Sequence, residues 1–165
     1  MAKVELLSKE RAPLLARPYY ERGDPGPIAA ALATVPELMQ PMLALIDTVF
    51  GPTSVEPRLK EIVILRVSSA NGCRYCTDLH TRLARRMGFA SDELAALRGE
   101  AAPPQRWSAK ERALHAFSEA LAREPGEAVE LLRAHVSEPE MVELVALGST
   151  TALLNCLATA LELSG

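Results

Sequence analysis

The sequence predicts an all-α, single-domain protein. Three observations carry this. Ala and Leu, both strong helix formers, dominate the composition. Apolar residues recur at helical spacing, as in Ala113, Leu114, Phe117, Ala120 and Leu121. No stretch sustains the alternation of a strand, and no fixed-period repeat or low-complexity tract interrupts the pattern. A length of 165 residues suits one domain and can bury a core without a structural metal or disulfide.

Most of the 12 prolines lie before residue 58, so residues 1–27 are expected to form an irregular N-terminal arm. It ends in the loop Arg22-Gly23-Asp24-Pro25-Gly26-Pro27. Residues 28–165 are expected to form the helical domain. Its first helical stretch runs from Ile28 to Phe50, with interruptions near Pro36 and Pro41. Thr53 and Glu56 have capping-box spacing and open a helix that ends at Asn71-Gly72. A second helix starts around Cys73 and runs to Met87, with Gly88 as its terminator.

Ser91 is expected to cap a short helix ending near Gly99, and residues 101–104 to form a linker. Ser108 with Glu111 opens a helix to about Arg123. Gly126 precedes another, to about Val136, and Ser137 with Glu140 opens the last. Leu144–Leu161 carries no charge and is near the roughly 20 residues needed to cross a bilayer. It also holds Gly148, Ser149, Thr150, Thr151, Asn155 and Thr159, and acidic residues abut both ends. That composition fits a buried helix approached closely by its neighbours.

The formal net charge of −3 comes without any basic run, which argues against nucleic acid or an anionic membrane as a main partner. The N-terminus lacks an apolar leader, so the expected location is cytoplasmic. Three cysteines are too few for a secreted disulfide scaffold. In a reducing compartment a CxxC pair is expected to be catalytic or metal-binding.

Cys73-Arg74-Tyr75-Cys76 sits at an Asn-Gly turn that leads into a helix. Unpaired amides at a helix N-terminus stabilise a thiolate, and the thiolate is the nucleophile. His80, four residues after Cys76, shares its helix face and can take its proton. Cys76 is therefore read as the nucleophile and Cys73 as the resolving thiol. Glu61, Leu65 and Ser68 share a face of the preceding helix, so an antiparallel hairpin would bring Glu61 to His80 as proton relay or orienter.

Other readings stay open. Cys73, Cys76 and His80 are three of the roughly four ligands a zinc site needs, with Cys156 or Glu61 as the fourth. The disulfide could also serve a non-enzymatic redox sensor. Cys156 is expected in the core, and His115 and His135 are expected to be structural or solvated.

The run Glu61-xxx-Leu65-xx-Ser68-xx-Asn71-x-Cys73-x-Tyr75-Cys76-xxx-His80 resembles the carboxymuconolactone decarboxylase-like superfamily, and within it the alkylhydroperoxidase D-like (AhpD-like) branch. The likeness extends from about residue 40 to the C-terminus, with Asn155 at the usual family asparagine. It implies an AhpD-like helical bundle assembled as homotrimers or hexamers. It also implies peroxidase activity resting on the dithiol, without metal or organic cofactor. By that analogy Cys76 attacks a hydroperoxide, Cys73 closes the disulfide, His80 and Glu61 move protons, and a thiol reductant such as a lipoylated protein restores the pair. Ser68, Tyr75 and Asn155 would surround them. Tyr75 stands where the best-known members have a second histidine, and a phenol with a pKa near 10 cannot shuttle protons as imidazole does. The decarboxylase branch lacks the two cysteines, so lactone decarboxylation is not expected.

Overall fold

The computed structural model describes residues 2–21 and 23–164, and among these it is helical with no strand. The helices are α1 (Pro27–Leu32), α2 (Pro36–Phe50), α3 (Pro57–Ala70), α4 (Arg74–Arg86), α5 (Ser91–Leu97), α6 (Ala109–Leu121), α7 (Pro125–Ala128) and α8 (Glu138–Ala160). Short 3-10 turns cover Arg17–Tyr20 and Val129–Leu131.

Helix α3 is the axis of the fold. It is buried from Lys60 to Ser68 and packs against α4, α6 and α8. Ile62, Val63, Leu65 and Val67 meet Leu94 and Leu97 of α5, Leu114 and Phe117 of α6, and Leu144 and Leu147 of α8. Burial of each such side chain contributes roughly 1.5–3 kcal/mol before the entropy of ordering it is counted. Helix α8 has the length and apolarity of a membrane span. Its buried residues, from Leu144 through Gly148 and Thr151 to Asn155 and Ala158, face the other helices. Gly148 permits the close approach: a Cβ there would lie 2.3 Å from Leu121 Cδ2 and 3.7 Å from Val63 Cγ1.

The capping boxes at Ser108 and Ser137 form as the sequence predicts. The one at Thr53 does not. Helix α3 begins at Pro57 after an N-cap at Glu56, and the Thr53 and Ser54 hydroxyls instead donate to Glu143 of α8. Lys60 Nζ joins them, 3.1 Å from Glu143 and donating to the carbonyls of Val49 and Gly51 at 3.0 and 2.8 Å. A tertiary network holds that loop in place of a local cap.

Other boundaries also shift. Ala90 rather than Ser91 is the N-cap of α5, because the Glu93 carboxylate accepts the Ala90 amide at 2.8 Å. Helix α2 continues through Pro41, which lies on its exposed side one turn in, where water can take the freed Glu37 carbonyl. Gly126 lies inside α7, a single turn that starts at Pro125 and gives way to the 3-10 turn, anchored by buried Ala128 and Leu132. The arm is irregular apart from the turn at Arg17–Tyr20, yet it is packed. Ala12, Ala16 and Tyr20 form a small second core with Ala29, Leu32 and Met39, and Tyr20 Oη donates to the Leu7 carbonyl at 2.7 Å.

Candidate active site

The turn at Asn71-Gly72 reverses the chain between α3 and α4. Gly72 takes a φ of +67°, a conformation open to a residue without Cβ. Cys73 follows as the N-cap of α4, and its Sγ accepts the amide of Cys76 at 3.4 Å. Cys76 lies in the first turn and His80 in the next. Both thiols are free and buried, Cys73 at 1% and Cys76 at 6% exposure.

The hairpin carries Glu61 to His80. Glu61 Oε1 lies 2.9 Å from His80 Nδ1, and both side chains are largely shielded from water. With Nδ1–H donating to the carboxylate, Nε2 is left as the acceptor. His80 makes no hydrogen bond to Cys76, but the two border one cavity of about 230 Å³. That cavity is walled by Leu43, Ile46 and Phe50 of α2, Ile64 of α3, Leu79 of α4 and Leu154 of α8.

Behind the sulfurs runs a chain of amides and hydroxyls. Asn71 Nδ2 donates to Asn155 Oδ1 at 3.0 Å, and Asn155 Nδ2 donates to Ser68 Oγ at 3.1 Å. The network ties α8 to the α3–α4 turn and presents Asn155 to both thiols.

The two thiols differ in acidity, in the opposite sense to the sequence expectation. Cys73 is brought down to about 6, first by a hydrogen bond from the Cys76 side chain, against burial, with the Cys76 amide, Thr159 and Asn155 helping. Cys76 is pushed up, by donating to Cys73, by burial and by the neighbouring negative charge. Position adds to the leading side-chain hydrogen bond. The N-cap sulfur, not the sulfur inside the first turn, receives the free amide. Tyr75 is also raised, chiefly by burial, and its ring lies between the two thiols' surroundings.

Cys156 is exposed rather than in the core, because the buried stripe of α8 passes through Asn155 and the next residue points away. Among the described residues, no group of three or more His, Cys, Asp and Glu side chains is placed to hold a metal ion. His115 is buried away from the site, with Nε2 3.2 Å from the Ala96 carbonyl and its pKa shifted down by burial; His135 is exposed. The sequence placed Asn71 in a helix cap and in the family run without showing its bond to Asn155, and it did not point to Thr159 or the α2 wall. Thr159 lies one turn beyond Asn155 on the same face, a signal that was available. The α2 wall arrives by tertiary packing alone.

The sequence profile of the Carboxymuconolactone decarboxylase family matches residues 36–119, half of the chain and the stretch that holds Glu61, Cys73, Cys76 and His80. The chain belongs to the carboxymuconolactone decarboxylase family. The chain is 31% identical over 97 residues to the uncharacterized protein YdfG of Bacillus subtilis, covering 56% of this chain and 66% of that one. A protein of unknown function from Agrobacterium tumefaciens, suggested to be the antioxidant defence protein AhpD, superposes with a TM-score of 0.71 at 26% identity, over 79% of this chain and 92% of that one. A variant of the debrominase Bmp8 holding 2,3,4-tribromopyrrole superposes at 0.80 with 20% identity, over 99% and 93% of the two chains, a likeness of fold. Proteins of different named activities thus share this AhpD-like fold.

Proposed function

We propose that this family member is a dithiol peroxidase that reduces organic hydroperoxides. One observation carries the reading: Cys76 and the Glu61-held His80 open onto the same apolar cavity, with the acidic thiol Cys73 directly behind. The apolar walls favour a hydroperoxide with a hydrocarbon body over a small polar peroxide.

In this mechanism the Cys73 thiolate is the base for Cys76. As Cys76 Sγ attacks the distal peroxide oxygen, its proton passes to Cys73, the O–O bond breaks, and the leaving alkoxide takes a proton from solvent that His80 Nε2 first accepts and then passes on. Cys76 is then a sulfenic acid. Cys73 Sγ attacks it, hydroxide leaves with a proton as water, and the Cys73–Cys76 disulfide forms. Hydroperoxide and dithiol give alcohol, water and disulfide. Glu61 orients the imidazole and supports its charge. Ser68 and Asn155 hold the hairpin on α8 so that the two sulfurs stay adjacent. A thiol reductant completes the cycle, in a reducing cytoplasm.

The exposed apolar residues Val35 and Leu38 before and within α2, with Leu45, fit the same reading: they suit burial against another copy in a homo-oligomer.

The test is steady-state consumption of cumene hydroperoxide with excess thiol reductant. Multiple turnovers are expected, and Cys76→Ser should abolish them. A redox sensor using the same disulfide would react about once per site and stall, which would reject peroxidase turnover.

A further inference from the structure

Cys73 and Cys76 face different cavities. Cys76 borders the apolar one with His80. Cys73 borders a second cavity, of about 450 Å³, whose lining includes Arg74, Asp78, Arg82, Thr159 and Glu162. Tyr75 lines both.

We infer that this second cavity is the entry site of the reductant, and that it takes a small thiol bearing carboxylate and ammonium groups. The inference rests on the dithiol reading above. Arg74, Asp78 and Arg82 follow at four-residue steps, so their head groups stand in a row along one face of α4. Among the described residues, the structure gives none of the three an ion-pair partner, whereas Glu162 is held by Lys3 at 3.1 Å. Two guanidinium forks match two carboxylates, and Asp78 matches an ammonium. A neutral dithiol arm would leave all three charges unmet. The volume is that of a small-molecule site, which runs from roughly 300 to 1,000 Å³.

The chain turns across the opening at Glu162, which holds a φ of +53° that is uncommon outside glycine. Leu163 then packs beside the sulfurs.

The chemistry balances. The reductant thiolate attacks Cys73 Sγ, the Cys73–Cys76 bond breaks, and its electron pair leaves on Cys76, which gains a proton through His80. A second thiol attacks the reductant sulfur of the mixed disulfide. Cys73 departs as the thiolate that the Cys76 amide stabilises. Two thiols and the protein disulfide give one small disulfide and the protein dithiol. The oxidant and the reductant thus reach the pair from separate sides.

The test starts from protein oxidised with diamide, so it does not depend on any peroxide activity. Failure of diamide to close the disulfide would reject the dithiol reading itself. With the disulfide formed, its reduction by glutathione, cysteamine and dihydrolipoamide is followed by rapid mixing at matched thiolate concentration. Glutathione should react fastest. The Arg74→Gln/Arg82→Gln double variant should slow glutathione by roughly tenfold while leaving dihydrolipoamide unchanged. Quenched samples should carry glutathione on Cys73. Equal rates for the three thiols, an unaffected double variant, or glutathione found on Cys76 would each overturn the inference.

Discussion

Glu61 of α3 and His80 of α4 meet at 2.9 Å across the hairpin, nineteen positions apart in the chain. Neither side chain is well exposed, so the contact fixes one imidazole orientation toward the cavity that Cys76 shares. Replacing His80 with Ala should lower the rate constant for Cys76 oxidation by about a hundredfold, the ordinary size of a lost acid–base group. Glu61→Gln should cost less, about tenfold, and should change the pH profile of the reaction. Competition kinetics with cumene hydroperoxide would measure both. A Glu61→Gln variant with an unaltered pH profile would leave Glu61 a purely structural role.

The acidity of Cys73 gives a pH prediction with a definite sign. Its pKa is lowered to about 6, so the thiolate should appear with a midpoint near that pH and be mostly formed at neutrality. Cys76→Ala removes the leading hydrogen bond to Cys73 and should move the midpoint up toward the ordinary value of about 8.5. Ultraviolet thiolate absorbance against pH would report it. A midpoint unmoved by Cys76→Ala would show that the helix amide alone sets the acidity.

Glu93 predicts acid sensitivity of the fold. Burial raises its pKa, but the Ala90 amide, the Trp107 indole N–H and Arg58 outweigh burial and hold the carboxyl below its ordinary 4.5. The unfolded chain therefore binds the proton more readily. The stabilisation is complete above the unfolded value and is lost as pH falls through the folded one. Glu93→Ala should cost about 2–3 kcal/mol at neutral pH, because it strands the Trp107 and Arg58 donors, and should flatten the acid limb. Urea unfolding of both proteins across acidic pH would show it.

Light scattering should give a mass that is a multiple of the 17.8 kDa chain. Leu38→Lys with Leu45→Lys on the exposed face of α2 should reduce it. A wild-type monomer at micromolar concentration would remove the oligomer from the proposal.

What the sequence disclosed followed how local the cause was. The boxes at Ser108 and Ser137 formed because each needs only residues three positions apart. The Glu61–His80 contact was readable because a short Asn-Gly turn joins two helices of known periodicity. Thr53 misled because its hydroxyl found Glu143, a distant partner that no local pattern announces. Cys156 misled because the end of α8 is apolar over most of its circumference, so composition could not say which side is buried. The order of the two thiols was hidden because its leading cause, the Cys76 side chain donating to Cys73, depends on side-chain placement that spacing does not fix, and its lesser cause on whether the helix starts before or after Cys73. Starting after it gives that sulfur the amide.

The central claim is that Cys76 meets the oxidant and Cys73 closes on it. Peptide mass spectrometry of reduced protein, treated with stoichiometric cumene hydroperoxide and trapped with dimedone, tests it most directly. The account predicts a Cys73–Cys76 linkage in the native chain and a dimedone adduct on Cys76 in Cys73→Ser. An adduct on Cys73 in Cys76→Ser, with Cys76 left as the free thiol in Cys73→Ser, would contradict it.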